Sequence, residues 1–265
     1  MKSLISINSK FMNINPKYLL DIIRDESIYT KGVEICINYE NENEFVYLKQ
    51  IANYCREYEM LFQVHGDSKL SIEKQIEFVK YLENISDNLG YPITLTLHSI
   101  YDDDNKISIL KTEEYLHTLI DNINLNKINI AIENLNDSPG LDRLDKMQML
   151  PILFNNEHLH MTYDIGHEIA DFGQITNIDA NITSRIINVH LHEVDEIYFN
   201  GFDHKPIHEN DKNFDKILKG IMFLKSIKYD KTVVFEYDLN ACIGNTIQEK
   251  LKDYLYSIDE TSRHM

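Results

Sequence analysis

The chain has little of what most readily discloses a function. Its three cysteines, Cys36, Cys55 and Cys242, lie far apart and form neither a Cys-x-x-Cys pair nor a disulfide framework, which points to a reducing compartment. With 9 Gly and 5 Pro in 265 residues there is no Gly-, Ser- or Pro-rich linker and no low-complexity tract, so a single domain over 1–265 is expected. No apolar run approaches the ~20 residues of a membrane span. The opening Met1-Lys2-Ser3-Leu4-Ile5-Ser6-Ile7-Asn8 carries one basic residue and no signal-type apolar stretch, so a cytoplasmic protein without membrane attachment is expected. Positive charge is also scarce. Lys and Arg total 26 against 43 Asp and Glu, a formal net charge of −17, and a chain so acidic is repelled by nucleic-acid phosphates and by anionic lipid. Nucleic acid is therefore a disfavoured partner and a small molecule the expected one.

What is present is a repeat of pattern. Hydrophobic residues make up 43%, enough for a sizeable core. Short β-branched runs fall at Leu4–Asn8, Val33–Ile37, Leu61–His65, Ile93–His98, Ile128–Glu133, Leu159–Asp164, Ile186–His192 and Thr232–Tyr237, at intervals that suit one strand, one helix and two short loops. Helical spacing predicts helices over Pro16–Arg24, Glu44–Tyr58, from Ser71 through Leu89, and over Thr112–Ile123, Leu141–Phe154, Phe214–Leu224 and Thr246–Ile258, with at most a short helix in Phe172–Ser184. Eight such units predict an α/β fold, a single (β/α)8 TIM barrel, for which the length is suitable. A doubly wound dinucleotide-binding sheet is disfavoured because Ser9-Lys10-Phe11-Met12, not a glycine-rich turn, follows the first strand.

Barrel enzymes carry their active sites at the carboxyl ends of the strands. There the chain places His65 (strand 3), His98 (strand 4), Glu133 (strand 5), Asp164 with His167 (strand 6), His190 with His192 (strand 7) and Glu236 (strand 8). A carboxylate following Ile130-Ala131-Ile132 costs several kcal/mol to bury unless paired, so Glu133, and likewise Glu236, is expected to be paired or metal-bound. Imidazole mixed with carboxylate at one rim predicts a divalent metal cofactor such as Zn, Mn or Mg. His158 and His160 lie at the start of strand 6, on the opposite rim, and are read as surface or strand-bottom residues. The run Tyr101-Asp102-Asp103-Asp104 lacks the spacing of a calcium loop.

Asp164-Ile165-Gly166-His167 and His190-Leu191-His192-Glu193, in this order between Gly32-Val33-Glu34 and Phe235-Glu236, resemble the xylose isomerase-like TIM-barrel superfamily. That superfamily contains sugar isomerases and epimerases and the endonuclease IV branch, AP endonuclease family 2. The resemblance implies Glu133, Asp164, His190 and Glu236 around one divalent ion, His65 and His98 for a second ion bridged by Glu133, and His167 with an Asp-x-His pair for a third. That pair is irregular here: in Gly201-Phe202-Asp203-His204 the aspartate place holds Phe202, so Asp203 and His204 are the candidates. A homodimer is implied by resemblance alone.

Three functions follow as alternatives. The first is an isomerase or epimerase of a small sugar, in which Glu133 and Glu236 exchange a proton beside a metal-bound carbonyl while His167 and His192 hold substrate hydroxyls. The second is an endonuclease IV-like multinuclear zinc phosphodiesterase acting on abasic DNA or a small phosphoester. The third is a metal-binding protein without catalysis. Ligand number favours the second. Charge favours the first, since only five Arg occur and the rim segments Tyr101–Asp104 and Glu193-Val194-Asp195-Glu196 are acidic.

Overall fold

The computed structural model describes residues 1–38, 40–66, 70–100, 105–135, 146–176, 180–194 and 204–265. Eight parallel strands form a closed barrel in sequence order: β1 (Lys2–Ile7), β2 (Thr30–Cys36), β3 (Leu61–His65), β4 (Ile93–Leu97), β5 (Ile128–Glu133), β6 (Leu159–Asp164), β7 (Ile186–Leu191) and β8 (Thr232–Phe235), with β8 pairing back to β1. Their nearly continuous burial explains why the sequence shows apolar runs rather than alternation: one face fills the barrel and the other meets the helices.

The outer layer contains α1 (Pro16–Glu26), α2 (Glu42–Glu57), α3 (Ile72–Leu89), α4 (Asn105–Asp121), α5 (Lys146–Asn155), α6 (Ile165–Phe172), α7 (Ala180–Thr183), α8 (Phe214–Ser226) and α9 (Ile247–Ser262). Local chemistry sets their ends. The Asn15 side chain accepts from the Tyr18 amide ahead of Pro16, Ser71 caps α3, and Thr246 with Glu249 makes a reciprocal capping box on α9. None of the described helices is long and apolar enough to cross a membrane.

Two helices depart from the periodicity reading. Helix α4 starts at Asn105, before the expected Thr112, because its buried face includes the polar Ser108 and Thr112, and the Thr112 hydroxyl donates to the Ser108 carbonyl at 2.7 Å. Helix α6 was not expected at all. Asp164 ends β6 and caps α6 directly, its Oδ1 accepting from the His167 amide at 2.7 Å, so no loop marks the change. In the segment where a short helix at most was expected, the described residues hold the four-residue α7.

The barrel interior beneath the rim is polar. Gln63 donates to Thr232, Thr232 donates to Asn188, Thr96 and Thr162 share a hydrogen bond, and Asn188 donates to Glu34 at 3.0 Å. This layer forms the floor on which the strand-end residues sit.

Candidate metal centre

Every described strand-end candidate converges on the mouth of the barrel. Glu133, at the end of β5, lies in the middle and is 1% exposed. Its two oxygens face different partners: Oε2 is 3.0 Å from His65 Nε2 and 3.1 Å from His98 Nε2, whereas Oε1 is 2.9 Å from His190 Nδ1. Glu236 Oε2 approaches the same His190 Nδ1 at 3.0 Å. Asp164 stands behind, with Oδ1 3.2 Å from His192 Nε2 and Oδ2 3.4 Å from His167 Nδ1. His204 brings its Nδ1 to 3.1 Å from the Glu236 carbonyl. Asp203 lies outside the described residues. His208 is not part of the group and faces Asp253 and Glu260 at 3.7 and 3.9 Å. His158, on the opposite rim, is exposed, and His160 beside it is half-buried.

These donors form three overlapping groups: His65, Glu133, His190 and Glu236; Glu133, Asp164 and His167; and His167, His192 and His204. The donor atoms of each group lie within 4.8 Å of one another. Asp164 Oδ2 and Glu236 Oε2 are buried yet make no aligned hydrogen bond to a protein donor, which is the arrangement of lone pairs converging on a cation. Imidazole nitrogens and carboxylate oxygens together suit a divalent metal.

The electrostatics agree. Burial alone would push Glu133 and Glu236 up, but His190 outweighs it and holds both well below the usual carboxylate range. Burial likewise opposes ionisation of Asp164, and the neighbouring His167 and His192 bring its pKa down. Burial disfavours charging His65, yet Glu133 raises it to about 9. His190 is raised well above its ordinary value, against burial, by Glu34, Glu133 and Glu236. His65 and His190 thus favour their charged forms beside these carboxylates, whereas burial lowers the pKa of His98.

Glu34 on β2 is the residue that sequence reading missed. It is fully buried, its Oε1 lies 2.9 Å from His190 Nε2, and its Oε2 accepts from Asn188. The available signal was a lone carboxylate inside the apolar run Val33–Ile37. Glu34 orients His190 so that Nδ1 faces Glu133 and Glu236. Glu34→Gln is expected to weaken metal binding about 10- to 100-fold without unfolding the chain, measurable by titration of the metal-free protein against a chelating indicator.

No family profile matches the chain, and no curated protein matches it. Solved structures do. AP endonuclease, family 2, from Brucella melitensis aligns with TM-score 0.68 at 16% identity over 94% of this chain and 96% of that one. D-psicose 3-epimerase from Clostridium cellulolyticum H10, solved with D-tagatose, aligns with TM-score 0.67 at 11% identity over 99% of both chains. The 3-keto-D-glucoside 4-epimerase from E. coli aligns with TM-score 0.68 at 13% identity over 98% and 99%. The chain shares the closed (β/α)8 barrel fold with these structures. Its buried His, Glu and Asp clusters are suited to divalent metal.

Proposed function

We propose that the protein is a metal-dependent enzyme holding at least two divalent ions bridged by Glu133, and that it hydrolyses a small phosphoester. The observation that carries this reading is the division of Glu133: one oxygen faces His65 and His98, the other faces His190. A carboxylate that meets imidazoles on both oxygens would suit a position shared by two ions, with His65 and His98 on one side and His190 on the other. Ions held there would supply positive charge to phosphoryl oxygens and acidify a water.

The chain's own groups do the rest. His65 and His98 face one oxygen of Glu133 and His190 the other, and the same His190 Nδ1 is met by Glu236 at 3.0 Å and approached by Asp164 at 3.9 Å. Glu34 fixes the His190 ring. Glu236, kept ionised by His190 and partly open to the mouth, can accept a hydrogen bond from a substrate or a water. The net charge of −17 supports a small substrate over duplex DNA.

A second reading, an epimerase of a keto-sugar, is favoured by one observation. Glu133 and Glu236 both reach His190 Nδ1, so a single ion could be held between two carboxylates, each next to a bound carbonyl. The experiment that separates the two counts ions by plasma mass spectrometry and assays His98→Ala. Two or more zinc ions per chain, with phosphodiester hydrolysis lost in His98→Ala by about 100-fold or more, supports the first reading. One ion per chain, with His98→Ala tolerated and keto-sugar turnover present, overturns it in favour of the second.

A further inference from the structure

The connections that follow β7 and β8 enclose a cavity beside the metal mouth. Glu193 and Lys205 pair across an antiparallel bridge and exchange backbone hydrogen bonds of 2.9 and 3.2 Å, which makes a short two-stranded ribbon. The rings of His192 and His204 lie 4.2 Å apart beside it, and the His204 amide donates to His192 Nδ1 at 3.3 Å. Side chains alternate along extended backbone, so Glu193 turns away from His192. Residues opposite one another in a bridge share a face, so Lys205 accompanies Glu193. Both line a cavity of about 250 Å³, which Ala241 and Ile243 line from the connection between β8 and α9. His192 and His204 are not among its described lining residues.

The lining is chemically mixed. Glu193 is 4% exposed. Its Oε1 accepts from Asn213 Nδ2 at 2.8 Å, whereas its Oε2 is buried with no hydrogen-bond partner. A buried carboxylate oxygen without a donor is costly, and most such oxygens in folded proteins have one. A donor from outside the chain, above all an ammonium, would satisfy it. Asp211 brings a second carboxylate to the lining, and Lys205 and Lys212 bring two amines. Two acidic and two basic groups thus meet in one small space of a chain whose net charge is −17. A ligand of one charge answers half of them, and a ligand carrying both charges answers all. The volume is below the about 300–1,000 Å³ usual for drug-sized ligands, which restricts the occupant to a smaller molecule.

We propose that this cavity binds a small zwitterion of the α-amino acid class, with its ammonium on Glu193 and its carboxylate toward Lys205 and Lys212. The ribbon separates this place from the metal mouth, so the proposal is independent of the ions held there and of the substrate.

The test is calorimetric titration of the chelator-treated full chain, which leaves no ion for an amino acid to chelate. Glycine, L-alanine and L-serine serve as probes at millimolar concentration, with ethylamine and acetate as the two halves of the charge pattern. At least one of the amino acids is expected to bind one to one, and each half to bind about tenfold more weakly or worse. Glu193→Gln is expected to weaken the amino acid about tenfold or more. Because Glu193 is buried, a second variant guards against a change of fold. Ala241→Phe, from the facing connection, fills the cavity and should abolish binding while the circular dichroism spectrum and the Zn²⁺ count stay parental. No binding of any of the amino acids to the parent chain, or binding left unaltered by either variant, would overturn the site. Ethylamine bound as tightly as the amino acids would overturn the zwitterion.

Discussion

Glu133→Gln is expected to reduce turnover on the order of a thousandfold, about 4 kcal/mol of barrier, whichever substrate the enzyme takes. The change removes one charge and almost no volume, so the barrel should persist. What it removes is the only carboxylate among the described residues that meets both histidine sides of the rim, His65 and His98 on one oxygen and His190 on the other. An amide can offer one acceptor and must turn its NH2 toward the second set, where it meets a nitrogen donor instead of neutralising a cation. The ions bridged at this position should be lost together. Steady-state kinetics beside a metal count checks this, and near-parental turnover with a full metal complement would sink the assignment of Glu133 as the bridge.

The second large effect concerns the metal-free protein and pH. His65 is raised to about 9 in the folded chain against an ordinary 6.5, because the Glu133 carboxylate outweighs the burial that opposes its charge. A raised histidine contributes stability that is fully present below pH 6.5 and is lost as pH rises through about 9. The metal-free protein should therefore lose on the order of 2 kcal/mol between pH 6.5 and 9 as His65 gives up its proton beside buried carboxylates. Glu133 and Glu236 act in the opposite sense. Held below the ordinary carboxylate range, they contribute stability that is present above about pH 4.5 and lost as pH falls through their folded values. Urea denaturation of chelator-treated protein at pH 6.5 and 9, repeated with Zn²⁺ restored, gives the measurement. Zn²⁺ should abolish the alkaline loss, since the cation then balances the carboxylates that the imidazolium had balanced. A metal-free protein at least as stable at pH 9 as at 6.5 would contradict the charge arrangement described for His65 and Glu133.

Much of this architecture is legible in the chain because parallel barrel strands are buried on both faces and so appear as apolar runs. The run Ile128–Glu133 matches β5 residue for residue, and the first polar residue after Ile132 lies in the middle of the candidate site. The same logic found His65, His98, Asp164, His190 and Glu236 at neighbouring strand ends. It failed where a residue's role comes from the opposite wall of the barrel. Glu34 is two residues short of the end of β2, and its partners His190 and Asn188 are on β7, so no local spacing connects them. It failed again at α6, where a strand-ending aspartate is also a helix cap and no turn residue separates the two elements. The nearness of His192 to His167 and His204 is not legible in the sequence, because it depends on the absence of a side chain at Gly166, on a different element.

The direct passage from β6 into α6 has a consequence for how such a rim can diversify. Asp164 and His167 are three residues apart across that junction, one fixed by the sheet and the other by the first turn of a helix, with the His167 amide donating to Asp164 Oδ1. Inserting one residue between them would carry the imidazole about 100° around the helix axis, away from Glu133 and Asp164. Length variation is therefore forbidden here, and new specificities among barrels built this way must come by exchanging side chains in place or by altering the longer connections elsewhere on the rim.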